Sequence, residues 1–205
     1  MSQSEQRQQI VELGASLFQR GFSVGSAGNI SVRVPEGFLM TPTNSSLGRL
    51  RADRLSLLDH QWNHVGGDRP TKEVVMHRAL YEARPDAQAV VHLHSLHVTA
   101  LSCLQPGPGP LIPPLTPYFV MRLGRDVPTI PYYRPGSPEI ESSITEAGRG
   151  ASAMILSNHG SVVAGSSLEA AVNAAEELEV SAQLALMLAD RPVRQLTEEQ
   201  IAELL

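Results

Sequence analysis

The run Ala89-Val-Val-His92-Leu-His94-Ser95 restricts the fold of this chain more than any other stretch. Its first residues are apolar and β-branched, the composition of a strand, and alternate side chains of a strand point the same way. Two histidines spaced by two therefore leave one face of a sheet and aim two imidazoles at one point. A second apolar strand, Ala153 to Leu156, runs into Ser157-Asn158-His159-Gly160, and Glu73 opens a helix-like segment, Glu73-Val-Val-Met-His-Arg-Ala-Leu-Tyr81. Three imidazoles and one carboxylate, with no thiolate, suit a catalytic divalent cation. Zinc fits that set first, ahead of Mn2+, Co2+ or Fe2+.

A lone buried histidine is more often a hydrogen-bonded structural residue than a ligand. A spaced pair at one strand end and a His-Gly at another are harder to explain by packing. His77 stands four residues beyond Glu73, on the same helical face. It is either a ligand in place of His159 or a partner that orients Glu73, and the second role fits better because a strand-end His-Gly leaves His159 more open to a site. His60, His64 and His97 read as solvated or packing residues.

The remaining periodicities place these residues in one domain over 1–205. Apolar residues at helical spacing from Gln6 to Arg20 stop at Gly21. A glycine-rich turn, Gly25-Ser-Ala-Gly28-Asn29, leads into the alternating strand 30–34. Pro35-Glu36-Gly37 then turns it into a partner strand at 38–40. Leu55 to Leu58 reads as a short strand, and Asp68-Arg69-Pro70-Thr71 as the start of the helix that holds Glu73 and ends by Pro85. After the histidine strand come a short helix to Leu104, a proline-rich loop (Pro106 to Pro117) and a strand from Val127 to Tyr132. Ser137-Pro138-Glu139 caps a helix to about Gly148, and Val162 to Ala164 continues extended after His159. Ser166-Ser167-Leu168-Glu169 reads as a capping box for a long helix through Leu188, and a last helix starts at Thr197. Hairpins ahead of irregularly alternating helices and strands predict an α/β three-layer αβα sandwich with a mixed, largely antiparallel central sheet.

Composition narrows the chemistry. A net charge of −5 over 205 residues gives no electrostatic reason to expect nucleic acid. No apolar run is long enough to span a bilayer, and the polar N-terminus (Met1-Ser-Gln-Ser-Glu) lacks the apolar centre of a signal peptide. The single cysteine, Cys103, excludes an intrachain disulfide. A cytoplasmic protein is the expectation. Among 16 basic residues there is one lysine, Lys72, so Schiff-base chemistry would depend on it alone. Its place beside Glu73 makes anion binding the more natural role.

Two turns rich in small and hydroxyl residues, around Gly28-Asn29 and Thr43-Asn44, can offer backbone N–H groups to an anion. Thr71 and Lys72 add a helix start and an ammonium. Neither turn matches an ATP or dinucleotide fingerprint. Together with the histidines, these elements suggest a phosphorylated substrate. Tyr118, in Thr116-Pro-Tyr-Phe-Val-Met121, is either a proton donor and acceptor or an aromatic packed under a loop.

In this order, Gly28-Asn29, Thr43, Glu73, His92/His94, Tyr118 and His159-Gly160 resemble the class II aldolase/adducin family over nearly the whole chain. The resemblance implies that His92, His94, His159 and Glu73 bind one zinc per chain and that Glu73 also transfers protons. It implies that Gly28, Asn29, Thr43, Asn44, Thr71 and Lys72 hold the substrate phosphate. Pro70-Thr-Lys-Glu-Val74, Ala100-Leu-Ser-Cys-Leu-Gln105, Thr116-Pro-Tyr-Phe-Val-Met-Arg122, Pro131-Tyr-Tyr-Arg-Pro-Gly136 and Asp190-Arg-Pro192 look like the branch that decarboxylates 3-oxo-tetronate 4-phosphates. Where the aldolases have a serine pair this chain has Thr71-Lys72, and the extra charge suits a substrate with a carboxylate as well as a phosphate. The resemblance thus implies a lyase of four-carbon sugar-acid catabolism. It would form dihydroxyacetone phosphate and CO2 through a zinc-stabilised enediolate, with Glu73 and Tyr118 as catalytic residues. A homotetramer with active sites at subunit contacts is also implied. A fuculose or rhamnulose 1-phosphate aldolase, an epimerase, a dehydratase and a non-catalytic adducin-like interaction domain are the alternatives.

Overall fold

Strand β5 (Ala89–Leu93) alternates between two cores, and this alternation aims the histidines. Ala89, Val91 and Leu93 pack into one apolar cluster while Val90 packs into a second on the opposite face. His92 has the parity of Val90 and is turned to that second face. A register slip of one residue would point His92 into the wrong core and bury Leu93 in its place. Each fully buried Val or Leu resists such a slip by about 1.5–3 kcal/mol.

The computed structural model describes residues 2–105 and 107–205; Met1 and Pro106, which begin the polar N-terminal stretch and the proline-rich passage, lie outside the described residues. Around β5 run β1 (Asn29–Val34), β2 (Gly37–Met40), β3 (Ser56–Leu58) and β4 (His64–Gly66) on one side. On the other run β6 (Thr129–Ile130), β7 (Ala153–Leu156) and β8 (Gly160–Gly165). Among the described residues they form one sheet in the order β4-β3-β2-β1-β5-β8-β7-β6, in which only β6 and β7 are parallel.

Helices cover both faces. α1 (Gln3–Gln19), α3 (Leu96–Ser102), α4 (Pro117–Leu123) and α6 (Leu168–Leu188) lie over the larger cluster, which also takes Ile201 of α7 (Glu198–Ala202). α2 (Val74–Ala83) and α5 (Ile140–Gly148) lie over the smaller one. This is the expected three-layer sandwich with a mixed, largely antiparallel sheet. No helix among the described residues is long and apolar enough to cross a membrane.

Several local expectations need correction. Asp68–Thr71 is not helical: Pro70 forms a bridge with Pro42, and α2 begins only at Val74, so Glu73 is its N-cap residue. The strand expected from Val127 to Tyr132 pairs only at Thr129–Ile130. The passage expected as loop ends in helix α4, capped by the Thr116 side chain with Pro117 in its first turn, and Tyr118 lies on that helix. Helix α5 starts at Ile140, and the Ser137 hydroxyl accepts only a 3.4 Å bond from Glu139 N–H ahead of it. Ser167 alone caps α6, accepting from Ala170, while Glu169 takes a bond from Gln9 instead of closing a box. Strand β4 is short and exposed, without the alternation that would have marked it in the sequence.

Candidate metal centre

The β1–β5 register sets Asn29 directly opposite His92 and Ser31 opposite Val90. All four side chains therefore share the face that α2 covers. Gly28, just before β1, lies so near β5 that a Cβ there would come within 2.9 Å of the His92 carbonyl, and its φ of 78° also favours glycine. Across the other edge of β5, the His92 Nδ1 lies 2.7 Å from the Ser161 carbonyl of β8. Because a carbonyl can only accept, Nδ1 carries the proton and Nε2 presents its lone pair outward.

That lone pair points into a cluster of four. The His92 and His94 Nε2 atoms are 2.8 Å apart, and Glu73 Oε2 is 3.3 Å from His92 Nε2. Glu73 Oε1 is 3.4 Å from His159 Nε2, a buried atom with no hydrogen-bond partner. One ligand atom from each of Glu73, His92, His94 and His159 lies within 4.8 Å of the others. The three imidazoles meet edge to face at centroid separations of 4.6–4.8 Å. Converging lone pairs, an orphaned buried nitrogen and an outward-facing tautomer on His92 are what a divalent cation requires. The residues fit such an ion.

His159 is held from a different direction. It ends the turn between β7 and β8, where Asn158 adopts a left-handed conformation (φ 54°). The Asn158 N–H donates to the Ser102 carbonyl at 2.9 Å and the His159 N–H to the Ser102 hydroxyl at 3.3 Å, tying the turn to α3. The exit of β5 is tied as well: Glu179 of α6 accepts from the backbone N–H groups of His97 and Val98, both at 2.9 Å, at the start of α3.

Burial governs the electrostatics. It pushes His92 down to about 4 and His77 down to about 3, and lowers His94 and His159, so all four are neutral near pH 7 and able to offer lone pairs. Burial works to raise Glu73, but His92, the Asn29 amide, His159 and His77 together hold it below the usual carboxylate range.

His77 is not a ligand here. It is fully buried, with Nε2 2.5 Å from Asn29 Oδ1 and Nδ1 2.7 Å from Ser31 Oγ, so both ring nitrogens are occupied. Its ring makes no hydrogen bond to the Glu73 carboxylate, although its backbone N–H donates to the Glu73 carbonyl at 3.4 Å. Asn29 stands between them and donates its amide N–H to Glu73 Oε2 at 2.8 Å. Sequence reasoning gave Asn29 only an anion-binding role and passed over Ser31. Their two-residue spacing on an alternating strand was the available signal.

In front of the cluster opens a cavity of about 140 Å3. Gly28, Asn29, Thr43, Asn44, Thr71, Lys72, Glu73, His94 and His159 all line it, with Ser26, Ala27, Pro42 and Pro135; His92 lies behind them. The Thr43-Asn44 turn meets the Thr71-Lys72 stretch because Thr43 N–H bonds to the Arg69 carbonyl at 2.9 Å and Thr71 N–H to the Thr41 carbonyl at 3.3 Å. The Asn44 φ of 56° turns the loop, and the Thr71 hydroxyl accepts from Glu73 N–H at 3.3 Å. Tyr118 does not join them. It is 60% exposed on α4 and lines none of this cavity. The grouping can seat a small anion against a divalent cation and offers one carboxylate for proton transfer.

Comparison with known proteins agrees with this architecture. The 3-oxo-tetronate 4-phosphate decarboxylase of Haemophilus influenzae is 47% identical over 206 residues, covering 100% of this chain and 98% of the relative. The L-fuculose phosphate aldolase of Escherichia coli K12 is 34% identical over 207 residues, covering 100% and 94%. The crystal structure of YgbL from Klebsiella pneumoniae superimposes with a TM-score of 0.95 at 48% identity over the whole of both chains. Residues 8–186 match the Class II Aldolase and Adducin N-terminal domain, and the chain belongs to that family.

Proposed function

We propose that this chain, acting as one domain over 1–205, is a metal-dependent carbon–carbon lyase. It decarboxylates a 3-oxo-tetronate 4-phosphate to dihydroxyacetone phosphate and CO2 in four-carbon sugar-acid catabolism. The observation that carries the reading is the cavity in which Lys72 stands with Glu73, His94 and His159 behind two anion-binding turns. The 47% identity to a curated decarboxylase along the full chain supports it, against 34% to the aldolase. The ion is zinc, one per chain, held by Glu73, His92, His94 and His159. When bound, it supplies Lewis-acid stabilisation of negative charge on the substrate's ketone oxygen.

The protein's own groups do the rest. Backbone N–H groups of the Gly28-Asn29 and Thr43-Asn44 turns, with Thr71, hold the phosphate, and Lys72 steers the substrate's anionic ends. When the carboxylate leaves as CO2, the electron pair of the broken bond moves toward the ketone and forms an enediolate. Glu73, once it has taken a proton from water, delivers it to the carbon that lost CO2. Oε1 is the atom for that step, because Oε2 is engaged by Asn29. Tyr118, exposed on α4, assists only at the site of a neighbouring copy, which fits a homotetramer with sites at subunit contacts. The cytoplasm suits a chain with one cysteine and, among the described residues, no helix long and apolar enough to cross a membrane.

A product assay tests the reading. Supplied with 3-oxo-tetronate 4-phosphate, generated in place by a dehydrogenase, the protein should release CO2 and dihydroxyacetone phosphate in equal amounts. L-Fuculose 1-phosphate should yield little or no lactaldehyde. Efficient cleavage of the sugar phosphate, without CO2 from the oxo acid, would make the protein an aldolase.

A further inference from the structure

Behind the cavity a chain of hydrogen bonds runs from the carboxylate into the interior. It links Glu73 to Asn29 (2.8 Å), Asn29 to His77 (2.5 Å), His77 to Ser31 (2.7 Å) and Ser31 to the Tyr81 hydroxyl (3.2 Å). Its directions from Glu73 to Ser31 are fixed by chemistry. Glu73 can only accept, so Asn29 must present its NH2 to it and its Oδ1 to His77. His77 Nε2 must then carry the proton and donate. The neutral ring has its lone pair on Nδ1, which accepts from the Ser31 hydroxyl. Turning the Asn29 amide, or moving the neutral His77 proton to Nδ1, sets two acceptors against each other in a space that water does not reach, whereas the Ser31–Tyr81 contact joins two hydroxyls and has no fixed direction. His77, Ser31 and Tyr81 are all at most 3% exposed.

We propose that His77 is a positioning residue: its Nε2–H locks the Asn29 amide so that the NH2 clamps Glu73 Oε2 beside the three histidines and leaves Oε1 free. Without that donor the Asn29 amide can turn, present Oδ1 to the carboxylate and push Glu73 away from the ligand cluster. The proposal rests on the reading of Glu73 as ligand and proton carrier.

Three variants test it, each measured for melting temperature, zinc dissociation constant and kcat of CO2 release. His77→Gln carries an amide N–H where the imidazole has Nε2, and should keep zinc affinity and kcat close to those of the parent protein. His77→Asn reaches only as far as Nδ1, loses the donor to Asn29, and should lose about 10- to 100-fold in zinc affinity or kcat with KM little changed. Ser31→Ala frees the tautomer but keeps the ring, and should fall between the two. Equal losses in His77→Gln and His77→Asn that simply follow melting temperature would overturn the proposal. If His77→Asn fails to fold, Ser31→Ala decides, and unaltered zinc affinity and kcat there would also overturn it. Should the parent protein release no CO2, the functional reading fails while the ranking of zinc affinities still tests the hydrogen-bond chain.

Discussion

Replacing Gly160 by alanine should cost both the fold and the metal centre, although the residue is not itself a ligand. Its φ is ordinary, so the reason for glycine is space: an added Cβ would lie 2.2 Å from the Leu93 carbonyl oxygen and 3.2 Å from the His94 Cα. Both are backbone atoms of the segment that carries His92 and His94. To reach even 3.0 Å, the end of β5 and the start of β8 must part by about 0.8 Å. That strains the pairing of Leu93 with Ser161, whose carbonyl fixes the His92 tautomer. Overpacking of this kind costs about 1–3 kcal/mol. The unfolded-state entropy gained from Gly→Ala, about 0.4–1 kcal/mol, does not offset it. A shift approaching 1 Å at catalytic groups can lower turnover by about 100-fold. Gly150→Ala is the control, because its nearest neighbour would be 3.9 Å away. Urea unfolding with measured zinc retention should show Gly160→Ala destabilised and metal-poor while Gly150→Ala matches the parent. A Gly160→Ala protein with unchanged stability and a full complement of zinc would refute the steric reasoning.

Other outcomes follow from the same geometry. His92→Ala, His94→Ala and His159→Ala should each lose most bound zinc by elemental analysis, whereas Glu73→Gln should lose turnover more than metal; an unchanged kcat in zinc-loaded Glu73→Gln would remove Glu73 as proton carrier. Burial holds His77 and His92 at about 3 and about 4 in the cation-free fold, below their ordinary 6.5, so the unfolded chain binds more protons between these values. Stability present above pH ~6.5 should therefore fall as the pH drops toward 4, by up to about 1.4 kcal/mol per pH unit for each histidine. A melting temperature independent of pH across that interval would contradict the sign. Glu179→Ala should destabilise by about 1.5–3 kcal/mol in thermal unfolding, because two N–H groups at the start of α3 lose a charged acceptor. Lys72→Ala should raise KM for the phosphorylated acid with kcat little affected in steady-state kinetics.

The parity of Val90, His92 and His94 was legible in the sequence because a strand has a period of two and its apolar residues declare their faces. The turns at Gly28-Asn29 and Thr43-Asn44 were legible as turns rich in small and hydroxyl residues, and both line one cavity with Lys72. That Asn29 stands opposite His92 was not legible, since pairing register depends on which strands become neighbours. The link from Glu73 through Asn29 to His77 was hidden for the same reason. Helix α4 carried its own signals, a threonine cap followed by proline, but they sat at the end of a proline-rich passage whose composition argues for loop. Glu73 was placed inside a helix because its neighbours have helical spacing, yet Pro70 bridges to Pro42 and delays the first turn.

The central claim is that CO2 is lost in this cavity and the proton is returned there by a fixed group of the protein. Turnover of 3-oxo-tetronate 4-phosphate in deuterated water, followed by NMR of the dihydroxyacetone phosphate, tests it most directly. The claim predicts one deuterium per product on the carbon that lost CO2, in a single stereochemical position, because Glu73 reaches one face of the enediolate. Product labelled equally in both positions, as in spontaneous decarboxylation in solution, would contradict it.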